Sequence, residues 1–324
     1  MAEVVTLGEA MLRLSPPGSA RFEQATSFDV VVGGSEQSVA AGLARLGRSV
    51  SFVTKLPNNP LGRLILNRTR EQGIEVRHVA WGDERAGVYF YEQGASPRPS
   101  QVVYDRAHSS ASHLQPKDVD WTEALNGCRV FHTCGITAAL SKSCFATVEH
   151  ALTRARRCAV TTSFDLNYRS RLWTEEAAAR AYERLLPRCD VLFASASALQ
   201  TFFGLGGAPE QAAEECRRRF GCSVVVLTDR TDFGARRGSV RALAVGNEIV
   251  ASDDVEFEAV DRLGAGDAFA AGFLDGYLDD DLPRAVAQGN AMAALKHTIP
   301  GEFCLITREE LQESLRGGGR QVVR

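Results

Sequence analysis

Gly264, Ala265, Gly266 and Asp267 place two glycines and a lone carboxylate directly ahead of an apolar stretch, AFAAGFLDGYL, with helical spacing. Glycines let the backbone turn tightly, and the unpaired N–H groups at a helix start, beside the positive end of the helix dipole, form an anion site. A carboxylate beside an anion site is repulsive at rest. It makes sense as a base that takes a proton from a hydroxyl while the amides stabilise a phosphoryl group moving toward that oxygen. Taken alone, the stretch is equally well explained as an ordinary helix start with an acid in its first turn. Two other nucleotide signatures are excluded: the sequence has no G-x-x-x-x-G-K-[ST], and GAGDAF is not G-x-G-x-x-G.

The elements that must position these residues follow from the hydrophobic pattern. Short β-branched runs recur at Val4 to Leu7, Val50 to Lys55, Val130 to Thr133, Val160 to Asp165, Val191 to Ala194 and Val224 to Thr228, each followed by an amphipathic segment. Such alternation predicts an α/β fold with a mostly parallel sheet covered by helices. Ser38 to Leu46 carries Val39, Leu43 and Leu46 on one helical face, and Pro60 to Gln72 carries Leu61, Leu64 and Ile65 at helical spacing. Two stretches break the alternation, Leu12 to Val32 and Gly87 to Ala107, the second reading as two strands around a Gly/Pro turn. Together they predict a small β-layer that covers the crevice at the carboxyl ends of the strands. The division is therefore a core of residues 1–11, 33–86 and 108–316, a β-sheet lid of 12–32 and 87–107, and a loose tail of 317–324.

Composition narrows the class. With 324 residues, 44% hydrophobic, 24% charged and a net charge of -3, the chain can bury a large core and lacks the basic excess of a nucleic-acid binder. The amino terminus has no basic region followed by an apolar run, and no stretch approaches the length of a membrane span, which predicts a cytoplasmic protein. The 8 cysteines are scattered without C-x-x-C or Cys/His spacing, so they read as reduced core residues and no metal site is expected.

The Asp261 to Asp267 stretch, DRLGAGD, resembles the carboxyl-terminal signature of the ribokinase-like (PfkB) carbohydrate kinases, with Arg262 where Thr is commoner. GGSEQSVAAGLARLG, from Gly33 to Gly47, resembles the amino-terminal signature of the same family. Between and beyond them, GEAMLRLSPPG, FVTKLPNNPLG, YFYEQGASPRPSQVVYDRAHSSAS, DLNYRSRLWT and ALKHTIPGEF look like the 2-keto-3-deoxygluconate (KDG) kinase subgroup. The resemblance spans almost the whole chain. It implies a ribokinase-like three-layer α/β/α sandwich with a small β-sheet lid, ATP with Mg²⁺ as cofactors, and phosphorylation of a primary hydroxyl on a sugar acid.

Carried over residue by residue, the resemblance makes Asp267 the catalytic base and the amides of Gly264, Ala265 and Gly266 the anion hole. It gives substrate binding to Gly34, Ser38, Tyr89, Tyr104, Arg106, Ile136 and Arg169. It gives nucleotide binding to Thr228, Arg230, Gly264, Gly266 and Asn290, with Thr228 and Arg230 expected just after a strand. The chemistry agrees in one respect: a sugar acid needs a cation, preferably an arginine fork. Taken singly, each Arg reads as a surface ion-pair residue, each Tyr as a half-buried strand residue and Asn290 as an exposed helix polar residue. Physics assigns no role to Lys296 or His297, and His297 reads as structural.

Two departures from the family pattern stand out. Ser38 occupies a position that usually holds Asn, so a contact to a sugar hydroxyl is expected to be lost or bridged by water. After the Val191 to Ala194 run, Ser195 and Ala198 stand where relatives carry Asn-x-x-Glu, which removes an outer-shell carboxylate of Mg²⁺ and leaves Asp229 or Asp165 as substitutes. The alternatives are a kinase of the same family acting on another sugar, and a weakened paralogue that binds sugar acid or nucleotide as a sensor. The exposed edges of the lid further predict a homodimer through it.

Overall fold

The computed structural model describes residues 1–234 and 236–317. The chain begins with β1 (Val4–Leu7), β2 (Met11–Ser15), β3 (Asp29–Gly33), α1 (Ser35–Arg45), β4 (Val50–Pro57), α2 (Pro60–Glu71), β5 (Val79–Gly82), β6 (Gly87–Glu92) and β7 (Gln101–Asp105). It continues with α3 (Trp121–Ala124), β8 (Val130–Cys134), α4 (Gly135–Ala139), α5 (Lys142–Arg157), β9 (Thr161–Asp165), α6 (Glu175–Leu185), β10 (Val191–Ala194), α7 (Ala196–Phe203), α8 (Pro209–Phe220) and β11 (Val224–Asp232). Last come β12 (Arg237–Val245), β13 (Ile249–Ala251), β14 (Val255–Glu258), α9 (Ala265–Tyr277), α10 (Leu282–His297) and α11 (Arg308–Leu315).

Among the described residues ten strands form one sheet in the order β13-β12-β11-β10-β9-β8-β1-β4-β5, with β14 paired to β12. From β11 to β5 every neighbour is parallel, and β12 to β14 add an antiparallel edge. A parallel strand is covered on both faces, which is why runs such as Val191–Ala194 are apolar without alternation and buried throughout. Each face carries its own core. Side chains of α1, α9, α10 and α11 fill one, and those of α5, α6, α7 and α8 the other, so the molecule has three layers.

The stretches that interrupt the alternation make a separate four-stranded sheet, β3-β2-β6-β7. Its inner face holds a small core of Met11, Tyr89 and Tyr91 with Leu263 packed against it, while Val30 and Val103 are exposed.

Several expectations need correction. α1 begins at Ser35, three residues before the expected Ser38, directly after the extended Gly34. In α2 the buried face is Gly62, Ile65, Leu66 and Thr69, so Leu61 and Leu64 point outward despite their spacing. β11 runs on to Asp232 because β12 pairs with it in antiparallel register, so Thr228 and Arg230 lie within the strand and not after it. Seven cysteines are buried, but Cys158, just past α5, is exposed. Of the expected tail only Gly317 is described; residues 318–324 lie outside the described residues.

Candidate active site

The carboxyl ends of β1, β8, β9, β10 and β11 converge on the start of α9. Gly264 caps that helix with φ 84°, and a Cβ there would lie 2.1 Å from the Glu302 carbonyl oxygen, so only glycine fits. No side chain caps the helix, so no side chain takes up the amides of its first turn, which can donate to an anion. Asp267, in the first turn, accepts a 2.5 Å hydrogen bond from Ser35 Oγ, and Asn167 Nδ2 donates to that same hydroxyl at 2.8 Å. Burial raises the Asp267 carboxyl to about 6, while the Ser35 bond and the charges of Arg169 and Lys296 pull it back. A carboxylate poised there can accept a proton near neutral pH.

Asp267 and Gly264 border a cavity of about 90 Å³ whose wall includes Gly34, Tyr89, Tyr104, Arg106, Ile136 and Arg169. Gly34 allows the backbone to close in, since a Cβ would meet the Glu9 carbonyl oxygen at 2.1 Å. The Tyr89 and Tyr104 rings lie 5.6 Å apart across β6 and β7, and the Arg106 guanidinium sits 5.5 Å from the centre of the Tyr104 ring. Arg169, just past β9, also lines the two larger cavities of about 440 and 520 Å³ on either side. Ser38 is the exception. It lies about one turn further along α1, 1% exposed with its hydroxyl unpaired, and is not part of the wall.

Other residues at this cavity were not legible from residue type. Ser35, which the sequence reading did not single out, donates to Asp267. Glu9 is 2% exposed and holds Arg106 in a two-point contact, 2.9 Å from Nε, while Ser109 Oγ donates to its other oxygen at 2.6 Å. Glu302 is raised to about 7 by burial, against the pull of Arg13 and the Gly34 amide. Glu36 is likewise raised to about 7 by burial, although Thr137 Oγ1 and the Cys134 amide donate to it. The signal available was an acid within an otherwise apolar phrase, GEAML for Glu9 and IPGEF for Glu302.

On the other side of α9, Thr228, Arg230, Gly266, Asn290 and His297 line a cavity of about 290 Å³. Thr228 and Gly266 also line the cavity of about 440 Å³ with Asp165, Ser195 and Ala198, so the two meet at the helix start. Asn290 is buried and not exposed: its Nδ2 donates to the Val240 and Asp253 carbonyls at 3.0 and 2.9 Å, and its Oδ1 is unpaired. Ser195 serves as the cap of α7, accepting from the Ala198 amide at 3.1 Å. Asp229 is engaged by Arg241 at 2.8 Å, whereas Asp165 stays at the cavity, raised to about 7 by burial and by Asp267.

These features fit a nucleoside triphosphate: backbone amides at a helix start, with Thr228, Arg230 and Asn290 along one cavity wall. No cluster of three or more metal-ligating side chains occurs among the described residues. A divalent ion would there be held mainly by phosphate oxygens and water, and Asp165 is a carboxylate on the cavity wall that could face it.

The sequence pattern of the pfkB family carbohydrate kinases matches residues 1–302. A 2-dehydro-3-deoxygalactonokinase of Haloferax volcanii is 38% identical over 320 residues, covering 98% of both chains. The crystal structure of a 2-dehydro-3-deoxygluconokinase from Thermotoga maritima, 42% identical, superposes with a TM-score of 0.94 over 97% of this chain and 98% of that one. A protein from E. coli described as ribokinase II, solved with ATP and Mg²⁺ and 21% identical, shares the fold with a TM-score of 0.83 over 98% of this chain and all of its own.

Proposed function

We propose that this chain, which belongs to the pfkB family of carbohydrate kinases, phosphorylates a primary hydroxyl of a 2-keto-3-deoxy sugar acid, with 2-keto-3-deoxygluconate and its 6-phosphate as the leading pair. The observation that carries this reading is one small cavity with Asp267 and the α9 amides at one end and two arginines, Arg106 and Arg169, in its wall. Arg106 is already paired with Glu9, but Arg169 pairs with no carboxylate among the described residues, and a neutral sugar has no use for its charge.

Asp267 takes the proton of the substrate hydroxyl as the oxygen bonds to the γ-phosphorus of ATP and the bond to the β-phosphate oxygen breaks. The amides that follow Gly264 hold the negative charge that spreads over the transferring group. Thr228 and Arg230 hold the phosphates of ATP, and Asp165 is the side chain closest to the role left vacant by Ala198. Mg²⁺, when bound, neutralises phosphate charge. Ser35 keeps the base aligned, and Tyr89, Tyr104 and Ile136 close the pocket around the sugar chain.

The Haloferax relative favours a second substrate, the galactonate epimer at C4. A coupled assay of ADP release with ATP, Mg²⁺ and either epimer, fructose or ribose tests the reading. Turnover of a keto-deoxy acid at least ten-fold above the neutral sugars supports it. Turnover of a neutral sugar alone moves the assignment to another sugar kinase, and tight acid binding without turnover moves it to a sensor.

The four-stranded sheet, with Val30 and Val103 exposed, supports pairing of two copies through this layer. Light scattering at micromolar concentration reads it directly, and a monomer would exclude it. No helix among the described residues is long and apolar enough to cross a membrane, and an ATP-dependent reaction accords with a cytoplasmic site.

A further inference from the structure

Lys296, near the carboxyl end of α10, is 0% exposed, and the reaction described above makes no use of it. Lysines are almost never fully buried unless their charge is met. Its ammonium donates to two backbone carbonyls, Ile299 at 3.0 Å and Asp261 at 3.4 Å. The Asp261 carboxylate in turn accepts from the amides of Leu263 and Gly301, each at 3.1 Å, and pairs with Arg13 of β2 at 2.7 Å.

These partners belong to two different loops. Asp261 and Leu263 lead straight into Gly264 and the α9 amides, while Ile299 and Gly301 lead into Glu302 on the cavity wall. Two carbonyl dipoles aimed at one point repel unless a cation stands between them. Burial lowers the lysine to about 8 while Asp261 pulls it up, so the group is charged at neutral pH.

We propose that Lys296 is a positioning residue for phosphoryl transfer, its ammonium a built-in cation that locks the Asp261–Gly264 turn to the Ile299–Glu302 loop and so fixes the anion-site amides. It touches neither the sugar pocket nor the nucleotide cavity. The proposal rests on the anion-site reading above and extends it to a residue of a neighbouring helix.

The test uses Lys296→Met, which keeps most of the volume without the charge, and Lys296→Ala, which leaves room for a small cation. Turnover is measured beside hydrogen exchange of the 261–267 and 298–303 amides, a readout independent of whether the chosen sugar acid is a substrate. Lys296→Met is expected to fold, exchange these amides at least ten-fold faster and lose about 100-fold in kcat. Lys296→Ala is expected to behave alike in sodium chloride but to regain protection and at least ten-fold in rate with ammonium or methylammonium, and nothing with tetramethylammonium. Wild-type exchange in folded Lys296→Met overturns the proposal, as does a folded Lys296→Ala that no small ammonium ion restores. If the alanine variant does not fold, the exchange of the methionine variant decides. A wild-type protein without turnover, but with the expected exchange pattern in the variants, counts against the substrate reading and leaves the lock standing.

Discussion

The Ser35 hydroxyl donates a 2.5 Å hydrogen bond to Asp267 across 232 residues of sequence, joining the first turn of α1 to the first turn of α9. The bond favours the charged carboxylate, so it offsets part of the burial that raises Asp267 to about 6. Ser35→Ala should therefore raise that value further. The acid limb of kcat is expected to move to higher pH, with several-fold lower turnover at pH 6.5 and recovery by pH 8.5. A profile that superposes on wild type would remove Ser35 from this role.

Asp267→Asn keeps the shape of the side chain and removes the base. Turnover should fall by about 10²–10⁴-fold, while calorimetry finds the sugar acid bound within a few-fold of wild type. Equal turnover would show that the proton leaves by another route.

Arg106 and Arg169 are expected to separate when each is changed to alanine. Both variants should raise KM for the acid substrate. Only Arg106→Ala should also cost stability, about 3–5 kcal/mol, because it strands Glu9, whose side chain is 1% exposed. Arg169 forms no such pair among the described residues; its Nη1 donates to the Tyr168 carbonyl at 2.9 Å. Urea unfolding of the two variants reads the difference.

Ala198 lines the cavity with Asp165, at the position where the resemblance implied a carboxylate. Ala198→Glu should lower the Mg²⁺ concentration for half-maximal rate by about ten-fold. An unchanged Mg²⁺ dependence would mean that Asp165 already meets the demand.

Asp165 gives a stability prediction of definite sign. Its folded carboxyl is raised to about 7, so between its ordinary value of 3.8 and about 7 the folded state binds more protons than the unfolded one. Stability contributed by this group is thus lost as pH rises through that window. Asp165→Asn removes the dependence, and its melting temperature should gain on wild type from pH 5 to pH 8. A gap that is constant with pH would contradict the assignment.

Much of the architecture was readable in residue order. The β-branched runs and the amphipathic segments between them report a covered parallel sheet because burial on both faces demands continuous apolar strands. The interrupted stretches marked the second sheet for the same kind of reason, local alternation around a Gly/Pro turn. Asp267 and its glycines were legible because a helix start is a local event, written in a few adjacent residues.

Tertiary structure decided what lies opposite them. The spacing in α2 named Leu61 and Leu64 as inward, but the choice of face belongs to the sheet against which the helix packs. Ser35 bonded to Asp267, Glu9 behind Arg106, Asn290 tied to two carbonyls and Lys296 between two loops each depend on groups far away in the chain. Local propensity and periodicity act over a few residues and can be read in order. Hydrogen bonds and ion pairs between distant segments exist only once packing has brought those segments together, and that meeting is what makes a site of them.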